Sequence, residues 1–358
     1  MTNRPVVTEP NWWIVAVVLL AIVAGVVAVL TIDRSGERDR GLSERFGYHI
    51  DKFKKVDPAL IRYEQRGEIS CPMQMVRAVA TGPGDRVYVA GDEGIHVFDP
   101  GGAPVSKIAL EGKPTCLAVG GAGHAFPERV YAGLDRRVAV IDSEGEPAGT
   151  WDLPGKKGPL TSIAAAKDDV FVADYPNHIV LRYDTSGKLA GRIGAWDKEQ
   201  GTPGLVIPSP FFDVAVDPGG RLWVVNPGAL RVECRSFEGR LERFWKAESS
   251  PAIADFFGCC NPANLAILPD GRFVTAEKGL LRVKIYSAEG QFECVVAGPE
   301  QLEPPPPIGD QGVRDTEYTA VDVAVDSKGR VLILDLAAAR VRIFERKEPA
   351  TGAEDERD

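Results

Sequence analysis

A chain of 358 residues, 44% hydrophobic and 26% charged, carries enough apolar side chains for a large buried core, which excludes a chain disordered throughout. Its formal charge of -9 argues against a nucleic-acid surface, since phosphate contacts need clustered Lys and Arg and the sole cluster is Lys52, Lys54 and Lys55.

After a tail over residues 1–11, the run WWIVAVVLLAIVAGVVAVLTI (12–32) has no charged residue and matches the roughly 20 residues that cross a bilayer as a helix. Its two leading tryptophans suit an interfacial belt. The apolar stretch is too long for a cleaved signal peptide and no clear small-residue cleavage pattern follows, so a single-pass transmembrane signal anchor is expected. Orientation has opposing signals. Arg34, Arg38, Arg40 and Arg45 after the span favour a cytoplasmic domain, whereas the interleaved Asp33, Glu37 and Asp39, the size of the domain and an even count of six cysteines favour export. The reading adopted is a periplasmic or extracytoplasmic placement. Residues 33–58 read as a charged tether, and residues 349–358 as a disordered acidic tail.

Between them, residues 59–348 repeat. The segments beginning RAVATGPGDRVYVAG, TCLAVGGAGHAFPERVYAG, TSIAAAKDDVFVAD, FDVAVDPGGRLWVVN, ANLAILPDGRFVTAE and VDVAVDSKGRVLILD align as six copies. Each has a strand, a Gly- or Asp-rich turn, a second apolar strand and a third strand, and in the first five a further Gly turn follows at Gly101, Gly145, Gly187, Gly239 and Gly290. Four short strands per unit at this period predict an all-β, six-bladed propeller. The last copy stops at its third strand, and LIRYEQRGEIS (60–70) supplies a fourth that would close the ring and remove two sheet edges.

The strand DVAVD, the turns PGG and PDG and the strand ends YDTSG and YSAEG resemble the NHL repeat over roughly Ile61 to Glu348, with VFVADYPNHIVLRYDTSGKLAGRIG the best copy. The resemblance implies two columns of equivalent residues. Ala78, Cys116, Ser162, Asp213, Asn264 and Asp322 are expected near the central channel. Asp213, Asn264 and Asp322 fall on consecutive blades, and six-bladed lactonases and phosphotriesterases bind calcium at a comparable place, so a calcium-dependent hydrolase is one alternative. A wet channel also tolerates polar residues in this column without binding anything. The second column, Gly91, Gly133, Asp174, Asn226, Glu277 and Asp335, is expected to accept backbone N–H bonds in the turn that follows. NHL-type amidating lyases hold zinc with channel histidines, and no histidine stands in the channel column here.

The loops entering the first strand and those joining second to third share one face of a propeller. Cys71, Met73 and Met75, Cys116, and the adjacent Cys259 and Cys260 in GCCNP are therefore expected on one surface. Soft sulfur suits copper(I) or zinc, so a thiol-based redox or copper-handling module is a further alternative. Disulfides or buried thiols are the competing expectation, with Cys71 to Cys116, and Cys259 or Cys260 to Cys234 or Cys294, among many pairings. No haem-attachment motif, paired C-x-x-C, nucleophile elbow or phosphate loop occurs. The reading is a binding platform for a protein or small molecule, with Cys259, Cys260, Asn261, Asn264, Glu277 and Lys278 as ligand contacts on the block that departs most from a plain repeat.

Overall fold

The computed structural model describes residues 12–13, 16–23, 27, 51–156, 158–196, 203–302 and 320–348, in two units, Met1–Ile50 and Asp51–Asp358. In the first, Trp12, Trp13, residues 16–23 and Val27 are helical and exposed, and no helix among the described residues is long and apolar enough to cross a membrane. The remainder of the 12–32 span, the tether up to residue 50, most of the Pro-rich connection after Glu300 and the acidic tail lie outside the described residues.

In the second unit, 24 strands form six four-stranded antiparallel sheets. Blades 1 to 5 each use four consecutive strands. Blade 1 is β2 (Val76–Thr81), β3 (Val87–Gly91), β4 (Gly94–Phe98) and β5 (Pro104–Ile108), and blade 2 is β6 (Cys116–Val119), β7 (Val130–Leu134), β8 (Arg137–Ile141) and β9 (Pro147–Asp152). Blade 3 runs from β10 (Leu160–Ala165) through β11 (Asp169–Asp174) and β12 (Ile179–Asp184) to β13 (Leu189–Ile193). Blade 4 holds β14 (Val214–Val216), β15 (Leu222–Asn226), β16 (Arg231–Arg235) and β17 (Leu241–Lys246), and blade 5 holds β18 (Asn264–Ile267), β19 (Phe273–Ala276), β20 (Val283–Tyr286) and β21 (Phe292–Ala297). Blade 6 takes β22 (Asp322–Val325), β23 (Val331–Asp335) and β24 (Arg340–Arg346), and its outer strand is β1 (Tyr63–Ser70), paired from Tyr63 opposite Arg346 to Ser70 opposite Arg340. Closing the ring with the chain's first strand flanks β24 on both sides and leaves β1 as the outer edge of the blade.

Sequence and depth in the blade agree. The second strands VYVAG, VYAGL, DVFVAD, LWVVN, FVTA and VLILD are buried along their whole length, because neighbouring blades cover both faces. The outer strands β5, β9 and β17 are mostly exposed and alternate or turn polar. β21 is more buried than these, since the chain entering β1 bridges to it at Ile61 and Val295.

The last turn of blade 5 shows why one glycine is required. Gly290 has φ +83°, and a Cβ there would overlap the Trp245 ring, which itself stacks on Tyr286 with centroids 4.9 Å apart. Gly271 has a similar φ of +86° with open space around it. Gly271→Ala is therefore expected to lose about 1 kcal/mol from backbone strain alone. Gly290→Ala should lose a further 1–3 kcal/mol or so from the forced repacking of Trp245. Urea midpoints of the two variants check this, and equal shifts would show that Trp245 yields without resistance.

Candidate functional site

The innermost strand of each blade has one edge that no strand covers, and its N–H and C=O groups need partners from the next blade. The first column provides them. Asp213, ahead of β14, accepts from its neighbour Val214 N at 2.7 Å and from Leu265 N on blade 5 at 2.6 Å. Asn264 carries the link onward, its Nδ2 donating to Val321 O at 2.7 Å. Asp322 then accepts from Val323 N at 2.9 Å and from Val79 N on blade 1 at 2.8 Å. Between blades 3 and 4, Thr161 donates to Phe212 O at 2.6 Å and Ser162 accepts from Val214 N at 3.3 Å. These side chains lace successive blades together around the axis.

The same residues line an axial cavity of about 380 Å³ whose wall includes Ala78, Cys116, Ser162, Asp213, Asn264 and Asp322. Burial pushes the Asp213 carboxyl up to about 6, and burial together with the charge of Asp213 pushes Asp322 up to about 7. Cys116, on the same wall, is pushed by burial up to about 12. Asp213, Asn264 and Asp322 thus share one cavity. Each oxygen of the two carboxylates accepts one backbone N–H, so both side chains are held in place by the blades they link. Among the described residues no group of three or more His, Cys, Asp or Glu could hold a metal.

The second column also differs from expectation in its donors. Asp335 accepts from Ala338 N in the following turn, but Asn226 accepts from Val206 N and Glu277 from Phe257 N, both on the loops entering their own blades. Asp174 takes a bidentate ion pair from Arg136 of blade 2. The third strands add buried partners seven residues further on: Glu233 for Asn226, Lys284 for Glu277 and Arg342 for Asp335.

In blade 5 this arrangement builds the loop from 247 to 263. Glu277 and Lys284 pair at 2.8 Å with both side chains fully buried, and the Lys284 ammonium also donates to Ile253 O and Asp255 O at 3.1 and 2.7 Å. Tyr286 Oη donates to Ala254 O at 3.1 Å. Glu277 accepts from Phe257 N at 2.6 Å, while Asn261 donates to Phe257 O at 2.5 Å and accepts from Lys278 N at 2.9 Å. Residues 257 to 261 are thereby pinned at both ends, and Gly258, Cys259 and Cys260 span the gap.

Of the six expected ligand contacts, Cys259 is exposed, Lys278 and Asn264 are half-buried, and Cys260 is 9% exposed. Asn261 and Glu277 are buried at 1% and 0% with their polar atoms committed inside the loop, so they support the face and are not presented on it. Lys278 Nζ is held by Ser209 Oγ at 2.9 Å and stands 4.9 Å from the centre of the Phe211 ring. Phe211 in turn lines the axial cavity, which makes this cluster part of its mouth. The roles of Ser209 and Phe211 had no local signal in the sequence, and Lys284 had only its seven-residue offset from Glu277.

Of the two structural expectations for the cysteines, thiols and not disulfides are found. All six cysteines are free thiols. Cys71 lies in the core between blades 6 and 1, Cys116 between 2 and 3, Cys234 between 4 and 5 and Cys294 between 5 and 6, so four of the six are separated by whole blades. Burial raises Cys71 to about 11 and also raises Cys234 and Cys294, as suits inert core thiols. Cys71 and Met73 are buried, and Met75 and Cys116 reach the cavity wall, so the sulfurs expected on one face are divided between cores and cavity. The remaining two sulfurs, Cys259 Sγ and Cys260 Sγ, are 3.2 Å apart.

No family model matches the chain, and no curated protein matches its sequence. Solved structures do share its architecture. The WD40 β-propeller domain of Doa1 superposes with a TM-score of 0.52 at 14% identity, over 80% of this chain and 98% of that one. A virginiamycin B lyase from Staphylococcus aureus gives 0.52 at 10% identity, over 79% and 99%. A streptogramin B lyase gives 0.53 at 10% identity, over 81% and 100%. Identities this low carry the fold alone, and the chain is an all-β, six-bladed β-propeller.

Proposed function

We propose that this chain is a membrane-anchored, NHL-type propeller that serves as an extracytoplasmic binding platform, with its ligand face at the channel mouth formed by Phe211, Cys259 and Lys278. The observation that carries the reading is the division of labour among the polar groups. The channel acids are committed to lacing the blades, while a pinned loop holds an exposed thiol and Lys278, just after β19, sets its ammonium against Phe211 of the cavity wall. Platforms of this kind bind through a concave, mixed polar and apolar surface on a rigid scaffold. Two of the similar structures are named as lyases, but His96, His124 and His178 all lie away from the cavity wall, so binding is preferred to a histidine-based reaction. The anchor is proposed from the uncharged run at 12–32.

Photo-cross-linking tests both parts. Cys259 is labelled with a benzophenone maleimide in membranes from cells making the full chain; the control is Glu144→Cys, on an opposite-face turn, in a Cys259→Ser background. A discrete adduct from position 259 and none from 144 is expected. Equal adducts from both positions, or none from 259, would sink the platform reading. Removal of residues 1–50 should move the protein from the carbonate-washed membrane pellet to the supernatant, and a pellet that keeps it would overturn the anchor.

A further inference from the structure

The pinned vicinal thiols have a geometry that the platform reading does not use. Cys259 is exposed and Cys260 is buried, their sulfurs are 3.2 Å apart, and the loop carrying them is fixed by Glu277 below and Asn261 beside it. The other four thiols are enclosed in separate cores, so a solution oxidant meets Cys259 first. Lys278, oriented by Ser209 and the Phe211 ring, sets a positive charge that acts on the Cys260 sulfur, against the burial that otherwise raises that thiol.

We propose that Cys259 and Cys260 form a thiol–disulfide exchange site at the channel mouth, which accepts oxidising equivalents from a small aliphatic disulfide. The Cys259 thiolate attacks one sulfur of the disulfide, forming a mixed disulfide and releasing one thiolate. The Cys260 thiolate then attacks Cys259 Sγ, closing the vicinal disulfide and releasing the second thiolate. The two protons lost by the cysteines pass to the two departing thiolates, so the protein is oxidised by two electrons and one disulfide is reduced to two thiols. Thiolate attack through a mixed disulfide is the general path for such exchange. Cys259 is the entry point because it is accessible, Cys260 resolves because it is adjacent and shielded, and Lys278 is a positioning residue that favours the Cys260 thiolate. A disulfide between sequence neighbours is confined by the short ring it closes, which makes it readily reduced and the exchange reversible.

The experiment treats the full chain with oxidised glutathione, quenches with an alkylating agent and maps the tryptic peptide 247–272, which holds these two cysteines and no other. The expected product is an alkylation-resistant peptide lighter by two hydrogens and restored by dithiothreitol, with Cys71, Cys116, Cys234 and Cys294 still alkylated after unfolding. Cys260→Ser should stop at a stable mixed disulfide on Cys259, and Cys259→Ser should react at least tenfold more slowly. Lys278→Gln should slow the second step and move its pH profile upward while leaving the first step unchanged, which a purely structural role would not do. A wild-type protein that accumulates the mixed disulfide, or that reacts first at a buried cysteine, overturns the proposal. Because the readout is covalent chemistry at two sulfurs, it is independent of whether the mouth binds a ligand.

Discussion

Glu277→Ala is expected to lower the stability of the propeller by about 3–5 kcal/mol, because it leaves the ammonium of Lys284 uncompensated in a site from which water is excluded. Burial already pulls the Lys284 ammonium below its ordinary value, even with Glu277 present. Without the carboxylate it falls further. The unfolded chain then holds a proton that the folded chain gives up more easily, so the deficit of the variant shrinks as pH rises towards the ordinary lysine range. Denaturant titrations at neutral and alkaline pH check both the size and the sign. A second variant separates the charge from the loop. Glu277→Leu combined with Lys284→Met removes both charges and should recover much of the loss, yet it also deletes the bonds to Phe257 N, Ile253 O and Asp255 O. Its propeller is expected to melt near the wild type while Cys260 alkylates several-fold faster. Wild-type alkylation in that double variant would mean that the loop is held by something other than this pair.

Asp322→Asn is expected to change the pH dependence of stability more than stability at any single pH. In the folded chain Asp322 takes up its proton at about 7, against 3.8 as the ordinary value. Between those limits the folded state holds a proton that the unfolded state lacks, so stability from this group is fully present below about 4 and declines as pH rises through 7. At about 1.4 kcal/mol per unit, the difference amounts to roughly 4 kcal/mol over the whole interval. Asp213, with its own value near 6, adds a decline in the same direction over a narrower window. The groups facing Asp322 across the cavity are Asp213, the Cys116 thiol and Arg77 on the wall. His96 and His124, both lowered by burial from the ordinary 6.5, act the other way below that value, but they are common to both proteins and cancel in the comparison. The asparagine costs about 1–3 kcal/mol at pH 5, since its amide N–H₂ meets Val323 N or Val79 N where a carboxyl oxygen accepted. Relative to wild type it should gain steadily up to pH 8. Parallel stability curves for the two proteins would show that Asp322 does not titrate in this range.

The fate of particular residues shows where sequence reasoning reached its limit. The ring closure was legible because LIRYEQRGEIS lies just where a repeat short of one strand needs it, and β1 does pair along β24. The acid column was legible as a column, and its members do line one cavity. Its purpose was not. Whether an aspartate oxygen meets a cation or an amide depends on where the uncovered edge of the next blade lies, and Leu265 N and Val79 N come from 52 and 243 residues away. The choice between disulfides and buried thiols was hidden for the same reason. Composition supports pairing of six thiols, but four of them point into four different interblade cores.

The sequence by itself determined the all-β class, the six units, their turns and the closing strand, because these follow from local periodicity and from glycine placement, which act over a few residues at a time. The tertiary structure alone decided that Asp213 and Asp322 lace blades, that Glu277 and Asn261 are buried supports, and that Cys259 and Cys260 stand together near Lys278. Each of those roles depends on what distant strands bring within about 3 Å of a polar atom, where hydrogen bonds form, and that distance is set only when the ring is closed.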